Sequence, residues 1–435
     1  MKLLRIAMCC APLLAACAPD EPAPIVTPEP QSDVVAFEGA MLIRGDGSAA
    51  IENSIFVVED GRFVAAGAAG TVDVPDGAER IDLRGKTVIP GLIDTHLHLG
   101  YIDGRDWTDT SANFTRDNLV DQLGRLAYHG IVAALSMGLD YEIAYDIRAE
   151  ELEGFARLLT AGAGIARPNA SAGNPTRREV PYGVDTIEEG RSAVRELVDL
   201  DVDMIKIWVD DRGGSVEKLT PDLYGSIIDE ARELGGQVAA HIFYLEDAKE
   251  LLRAGLHGFA HGIRDEVVDD EFLALLDENP GVFLIPNLPE RGPRSEADLE
   301  YAAKTLPAAA IDAMRAESEE FEVDPDELFE TQAANLVAMY EAGVRVGFGT
   351  DGEGMGWDAH EELYDMVAAG FTPAQVITAA TSVSADIVGL DDLGTIEAGK
   401  SADFVVLDAN PLDDILNTRR ISAVYIRGTA VDRSR

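Results

Sequence analysis

Short apolar runs recur between residues 91 and 351, and most are followed by stretches with apolar residues at helical spacing. They span 91–99, 131–137, 161–166, 203–209, 237–241, 258–261, 282–286 and 344–351. Eight such runs joined by helical crossovers predict parallel strands closing into a TIM-type (β/α)8 barrel of the α/β class. Residues 291–340 read as polar helices outside that barrel. The flanks have a different pattern. Residues 34–88 hold β-like runs from Val34, Ala40, Ser54 and Arg62, separated by Gly and Asp turns, and the tail repeats the pattern from Asp403 and Ile421. Two β-rich ends around an α/β middle predict that the termini pair into a small β-sandwich. This places the sandwich at 34–88 plus 393–435 and the barrel at 89–392.

Chemistry-bearing residues fall at the C-terminal ends of the predicted strands, where barrel active sites are built. His96 and His98 lie at the end of the first run. Alternate residues on a strand share a face, so two imidazoles one residue apart can converge on one metal ion. His-x-His also occurs on ordinary half-buried strands, so the rest of the chain has to decide. His241 closes the fifth run, His261 the sixth and Asp351 the eighth. Lys206 sits inside the fourth run, flanked by apolar residues, where an uncompensated ammonium would be costly to bury. Burial favours the neutral amine, which can take up carbon dioxide to give a carbamate with two ligating oxygens. The alternative is a buried lysine paired with Asp210.

Composition adds a boundary to this picture. The chain has 435 residues, 46% of them hydrophobic, and a formal net charge of −44. A surface that acidic disfavours nucleic acid and anionic membranes as partners. Met1 to Ala16 has the positive start and short apolar middle of a secretory signal, too short to span a bilayer. Leu14-Ala-Ala-Cys17 resembles a bacterial lipoprotein processing box. Residues 1–17 are thus expected to be a signal, with Cys17 lipidated and the product exported to the periplasm or cell surface; the alternative is a plain signal cut near Ala18. Residues 18–33 read as a proline-rich acidic tether. Cys9, Cys10 and Cys17 are the only cysteines, so the body has neither a disulfide nor a cysteine nucleophile.

Over nearly its whole mature length the chain resembles the amidohydrolase superfamily, in its branch with imidazolonepropionase and bacterial Xaa-Pro-type dipeptidases. The resemblance is carried by Val88-Ile-Pro-Gly-Leu-Ile-Asp-Thr-His-Leu-His98, Phe348-Gly-Thr-Asp351, Ala379-Ala-Thr-Ser382 and the segment from Leu393 to Asp403, together with the strand-end residues above. It implies two divalent metal ions, zinc by expectation. His96, His98 and Asp351 would hold one, His241 and His261 the other, and a carbamylated Lys206 would bridge them. It further implies a bridging hydroxide as nucleophile, with Asp351 passing its proton to the leaving amine. Tyr244, three residues after His241, matches a tyrosine that helps polarise the substrate carbonyl in dipeptidase-like members. Homo-oligomers are common among such relatives, and one is expected here.

The substrate class expected is a small-molecule amide, either a dipeptide or an N-acyl amino acid. Arg212 and Arg264, just past the fourth and sixth runs, could clamp its carboxylate, or could be ordinary solvated loop arginines. Three further histidines are set aside. His257 and His129 fall at the wrong ends of their strands, and His360 could face the pocket only as an outside candidate. A one-metal cyclic-amide hydrolase or deaminase is the alternative. Such relatives generally lack the bridging lysine, and the deaminases carry glutamate where this chain has Tyr244. Lactone or phosphotriester hydrolysis is accessible to the same site. A barrel serving only as a binding scaffold would not need six retained ligands.

Overall fold

The computed structural model describes residues 34–150, 152–288, 295–319 and 325–434. The expected signal, Cys17 and the tether lie outside the described residues. Eight parallel strands form the barrel: β1 (Leu92–Leu97), β2 (Ile131–Ser136), β3 (Arg157–Thr160), β4 (Ile205–Val209), β5 (Val238–Ile242), β6 (Gly258–Phe259), β7 (Phe283–Leu284) and β8 (Arg345–Val346). β1 pairs with β2 and β2 with β3, and β4 to β8 follow one another in order. The ring closes where Thr95 N–H donates to the Phe348 carbonyl and His98 N–H to that of Gly352, both over short distances (2.9 and 2.8 Å). Near-continuous burial along β1, β2, β4 and β5 fits strands covered on both faces.

The third strand starts earlier than the 161–166 expected and is split, with Ile165–Ala166 forming a short second piece inside the expected run. Arg157–Thr160 makes the ladder with β2, and the chain then turns through Gly162 and Gly164, at φ +64° and +77°, before Ile165 pairs with Ile207 of β4. Two left-handed glycines break what reads in sequence as one extended run.

The crossover helices follow from ordinary amphipathic patterning. Ile187–Asp199, for example, starts at a Thr186/Glu189 capping box and buries Ala193, Val194 and Leu197. Residues 295–341 are not the purely polar appendage expected. Their helices Glu296–Ala302 and Ala308–Glu319 contribute Leu299, Tyr301, Ile311 and Met314 to an apolar cluster with Ile102, Met355 and Trp357. That cluster roofs the loops after β1 and β8.

The terminal strands pair as expected. Phe404–Leu407 runs antiparallel to both Thr87–Pro90 and Ile421–Ile426 in a five-stranded sheet. A four-stranded sheet built from Val34–Glu38, Ser54–Glu59, Arg62–Ala68 and Glu79–Asp82 packs on it. Aromatic rings join the two: Phe37 stacks on Phe56 at 4.8 Å and meets Phe404 edge-on at 5.1 Å, and Phe404 stacks on Tyr425. Each such pair contributes about 0.5–1.5 kcal/mol beyond its buried area.

Candidate metal centre

His96, His98 and Asp351 come together at the top of the barrel. The two imidazole centres are 5.4 Å apart, and Asp351 Oδ1 lies 3.3 Å from His96 Nε2 and 3.1 Å from His98 Nε2. Local backbone bonding explains why. The His96 carbonyl accepts N–H bonds from both Thr350 (3.0 Å) and Asp351 (2.7 Å). Asp94, fully buried, accepts the His96 N–H at 3.0 Å and the Thr350 hydroxyl at 2.8 Å, stapling β1 to the turn after β8. Asp351 itself stands at φ +52°, a conformation sparsely populated by residues with a Cβ and held here by this bonding. Gly349 is required by close approach, since a Cβ there would lie 2.8 Å from His96 Cβ.

The second histidine pair completes the ring. His261 has its ring centre 4.8 Å from that of His96 and 4.4 Å from that of His241. Lys206 is one register step below His241: it is opposite Ala239 on β5, whereas Trp208 is opposite His241. Small neighbours leave room for its stem, because Gly138 has no side chain where a Cβ would be 3.3 Å from Lys206 Cγ. Lys206 is fully buried, and its Nζ has no hydrogen-bond partner among the described residues. The ion pair with Asp210 is not made; Asp210 instead accepts from His241 Nε2 at 3.0 Å.

This donor set suits metal binding. The Nδ1 of His96 bonds the Ala260 carbonyl (2.9 Å) and that of His98 the Gly138 carbonyl (3.3 Å), so both protons lie on Nδ1 and both Nε2 lone pairs face the site. His96 Nε2 is a buried nitrogen without a hydrogen-bond partner. The Asp210 bond leaves His241 with Nδ1 as its free lone pair. Burial, reinforced by the Lys206 charge, pushes the His96 imidazole down to about 3. Burial also pushes His241 down to about 4 against the pull of Asp210, so both are neutral, as ligands must be. Burial pushes the Lys206 amine down to about 7; Asp351 opposes this, and Arg264 and Arg212 add to it.

A cavity of about 260 Å³ opens over these residues. His98, His241, His261, Asp351 and Trp208 line it, as do three arginines, Arg177, Arg212 and Arg264. Arg177 is neutralised by Glu353 (2.9 Å) and Asp109 (2.5 Å), a bridge that ties together the loops after β1, β3 and β8. Arg212 donates to the Ser171 carbonyl at 2.6 Å and lies 3.7 Å from Asp210. Arg264 has no carboxylate in ion-pair range among the described residues, and its one hydrogen-bond partner there through the side chain is His261 Nδ1, at 2.9 Å. Neither arginine expected past strands four and six is therefore an ordinary solvated loop residue.

Tyr244 caps the helix Leu245–Arg253, donates its hydroxyl to Asp211 at 2.9 Å, and is not among the residues lining the cavity. The three other histidines are structural. His257 accepts the Val238 N–H at the start of β5, and His129 bonds Tyr301 and Thr305. His360 does not face the pocket; it is fully buried between Thr418 and the His129 carbonyl. Sequence reading gave Asp210 only as a partner for Lys206 and missed Arg177. Asp210 directly follows β4, the position that could have marked it, whereas Arg177 lies in an irregular loop with no periodic signal.

Comparison with known proteins agrees with this geometry. The chain is 24% identical over 430 residues to a 5-methylthioadenosine/S-adenosylhomocysteine deaminase of Symbiobacterium thermophilum, covering 86% of this chain and 85% of that one. It is 27% identical over 395 residues to the imidazolonepropionase of Geobacillus thermodenitrificans, covering 82% and 84%. Among solved structures, a candidate prolidase from Bifidobacterium longum superposes with a TM-score of 0.71 at 27% identity, covering 92% of this chain and 95% of that one. The pattern described as Amidohydrolase family matches residues 87–431, a span that takes in all six candidate ligands, and the chain belongs to this family of metal-dependent hydrolases acting on carbon–nitrogen bonds.

Proposed function

We propose that the protein hydrolyses the amide bond of a dipeptide or N-acyl amino acid with two divalent cations, zinc being the expected metal. The observation that carries this reading is Lys206, fully buried, without a hydrogen-bond partner for its Nζ among the described residues, and pushed down to about 7 by that burial. A neutral amine at that position can become a carbamate, and a carbamate would join His96, His98 and Asp351 on one side to His241 and His261 on the other. Bound there, the cations would supply a water activated at neutral pH and polarise the scissile carbonyl. Asp351, in contact with both His96 and His98, is the group set to carry a proton to the leaving amine. Arg264 supports a substrate that carries a carboxylate, since it lines the cavity with no carboxylate in ion-pair range among the described residues, and Arg212, 3.7 Å from Asp210, lines the same cavity. Tyr244 would have to leave Asp211 to touch the substrate.

The leader and Cys17 support an exported, membrane-anchored enzyme. A single-cation enzyme is the second reading; it draws on the tight His96, His98 and Asp351 group and on the likeness to the deaminase.

Metal per chain separates the two readings. Protein prepared with bicarbonate and excess divalent metal is expected to hold two equivalents, falling to one or none in Lys206→Ala, and to cleave members of a dipeptide and N-acyl amino acid panel. One equivalent, unchanged by that substitution, would replace the proposal with the single-cation reading.

A further inference from the structure

His261 is the one candidate ligand whose hydrogen bonding conflicts with its role. The partner of its Nδ1 is Arg264, at 2.9 Å. A guanidinium only donates, so Nδ1 is the acceptor and the proton of the neutral ring sits on Nε2. The other three histidines have the opposite arrangement: each gives its outward N–H to a carbonyl or carboxylate and turns a lone pair to the site. If His261 is to ligate through Nε2, that nitrogen must lose its proton to Nδ1, which can then no longer accept from Arg264. If it ligates through Nδ1, Arg264 occupies the lone pair the cation needs. Either way the arginine and the cation cannot share the ring.

We propose that Arg264 is a latch that competes with the second cation for His261. The inference rests on the two-cation reading. The latch is poised to move, because among the described residues no carboxylate lies in ion-pair range of the guanidinium and its Nε has no hydrogen-bond partner, and the cavity of about 260 Å³ lies beside it. Cation entry breaks the Arg264–His261 hydrogen bond, forms the bond from His261 to the metal, and leaves a free cationic fork facing the cavity. For Nε2 ligation the ring proton moves from Nε2 to Nδ1 through solvent, and the overall charge does not change. A substrate carboxylate that engages the released fork keeps it off His261. Metal loading and carboxylate binding therefore reinforce one another, and by linkage each strengthens the other by the same factor. Arg264 on this account acts on the second cation only through His261 and is a contact for the substrate.

The test is stepwise titration of the metal-free full chain with Zn2+ against a chromophoric chelator, comparing wild type with Arg264→Met. The methionine keeps bulk and removes the donor and the charge. The second equivalent is expected to bind at least tenfold more tightly in the variant, with the first unchanged; a role in packing alone would move both or neither. Arg264→Gln, too short to reach His261, should show the same selective gain and stands in if the methionine variant does not fold. Two equivalents bound with wild-type affinities in both variants would overturn the latch and leave the two-cation reading intact. One equivalent in wild type and in both variants would overturn both. A second equivalent gained only on substitution would support the latch in its strongest form.

Discussion

At the scale of single residues the site depends on where protons sit. Asp210 fixes the His241 proton on Nε2, which aims Nδ1 at the site. Asp210→Ala is expected to weaken the second equivalent of metal by roughly 10–100-fold, the usual effect of losing such a partner, and to spare the first. Chelator competition would read this, and its sign is opposite to that at Arg264. Lys206 sets a pH dependence. Its amine, held near 7 by burial, is an ammonium without a lone pair below that pH and a carbamate-forming base above it. Uptake of 13C-bicarbonate should therefore rise as pH increases through 7, seen as a carbamate carbon resonance absent from Lys206→Ala. Uptake that is flat or falls across this range would exclude a reactive neutral amine. The histidine and aspartate candidates were readable from sequence because each ends an apolar run, and Lys206 because it is a charge inside one. Asp210, as a partner of His241, and Arg177 were not, because hydrogen bonding between neighbouring strands and salt bridging between loops leave no mark on local pattern.

At the scale of elements, the short strands β6, β7 and β8 make little regular ladder, and the irregular backbone beyond them carries the chemistry. The turn after β8 is the clearest case. Gly349 lets that segment lie directly against His96, and the paired bonds to the His96 carbonyl hold Asp351 in its left-handed conformation. Gly349→Ala forces either β1 or the turn to shift. It is expected to destabilise the fold by about 1–3 kcal/mol, the usual range for overpacking, and to loosen the first metal equivalent. A urea midpoint and a chelator titration would measure the two effects; an unchanged first equivalent would mean the close approach does not position the ligands. Element type was legible wherever the apolar run was long. The third strand was found only in its second piece, Ile165–Ala166, because Arg157-Leu-Leu-Thr160 is short and begins with a charge, while the glycines between the two sit in a longer apolar stretch. The helices of 295–319 looked polar because their buried positions meet loops and not strands.

At the scale of the whole molecule a net charge of −44 surrounds a cavity lined by Arg212 and Arg264, with a third arginine, Arg177, neutralised by Glu353 and Asp109. An anionic substrate is repelled at long range and attracted only inside the cavity. Salt removes the long-range part first, because the screening length is about 10 Å at 0.1 M and buried pairs are screened less. For a carboxylate substrate kcat/KM is therefore expected to rise severalfold from low to physiological salt, while an amide-capped analogue stays level; a fall with salt would show that attraction in the cavity dominates association.

The pairing of Thr87–Pro90 with Phe404–Leu407 adds a consequence in time. The strand leading into the His-x-His segment pairs with Met41–Leu42 on one side, but its partner on the other side comes only after more than three hundred further residues have been made. A chain still emerging from the ribosome lacks that clasp, and its first metal-binding strand has one side of its entry unpartnered until synthesis is nearly finished. The five-stranded sheet beside the barrel is therefore among the last parts of the molecule that can close.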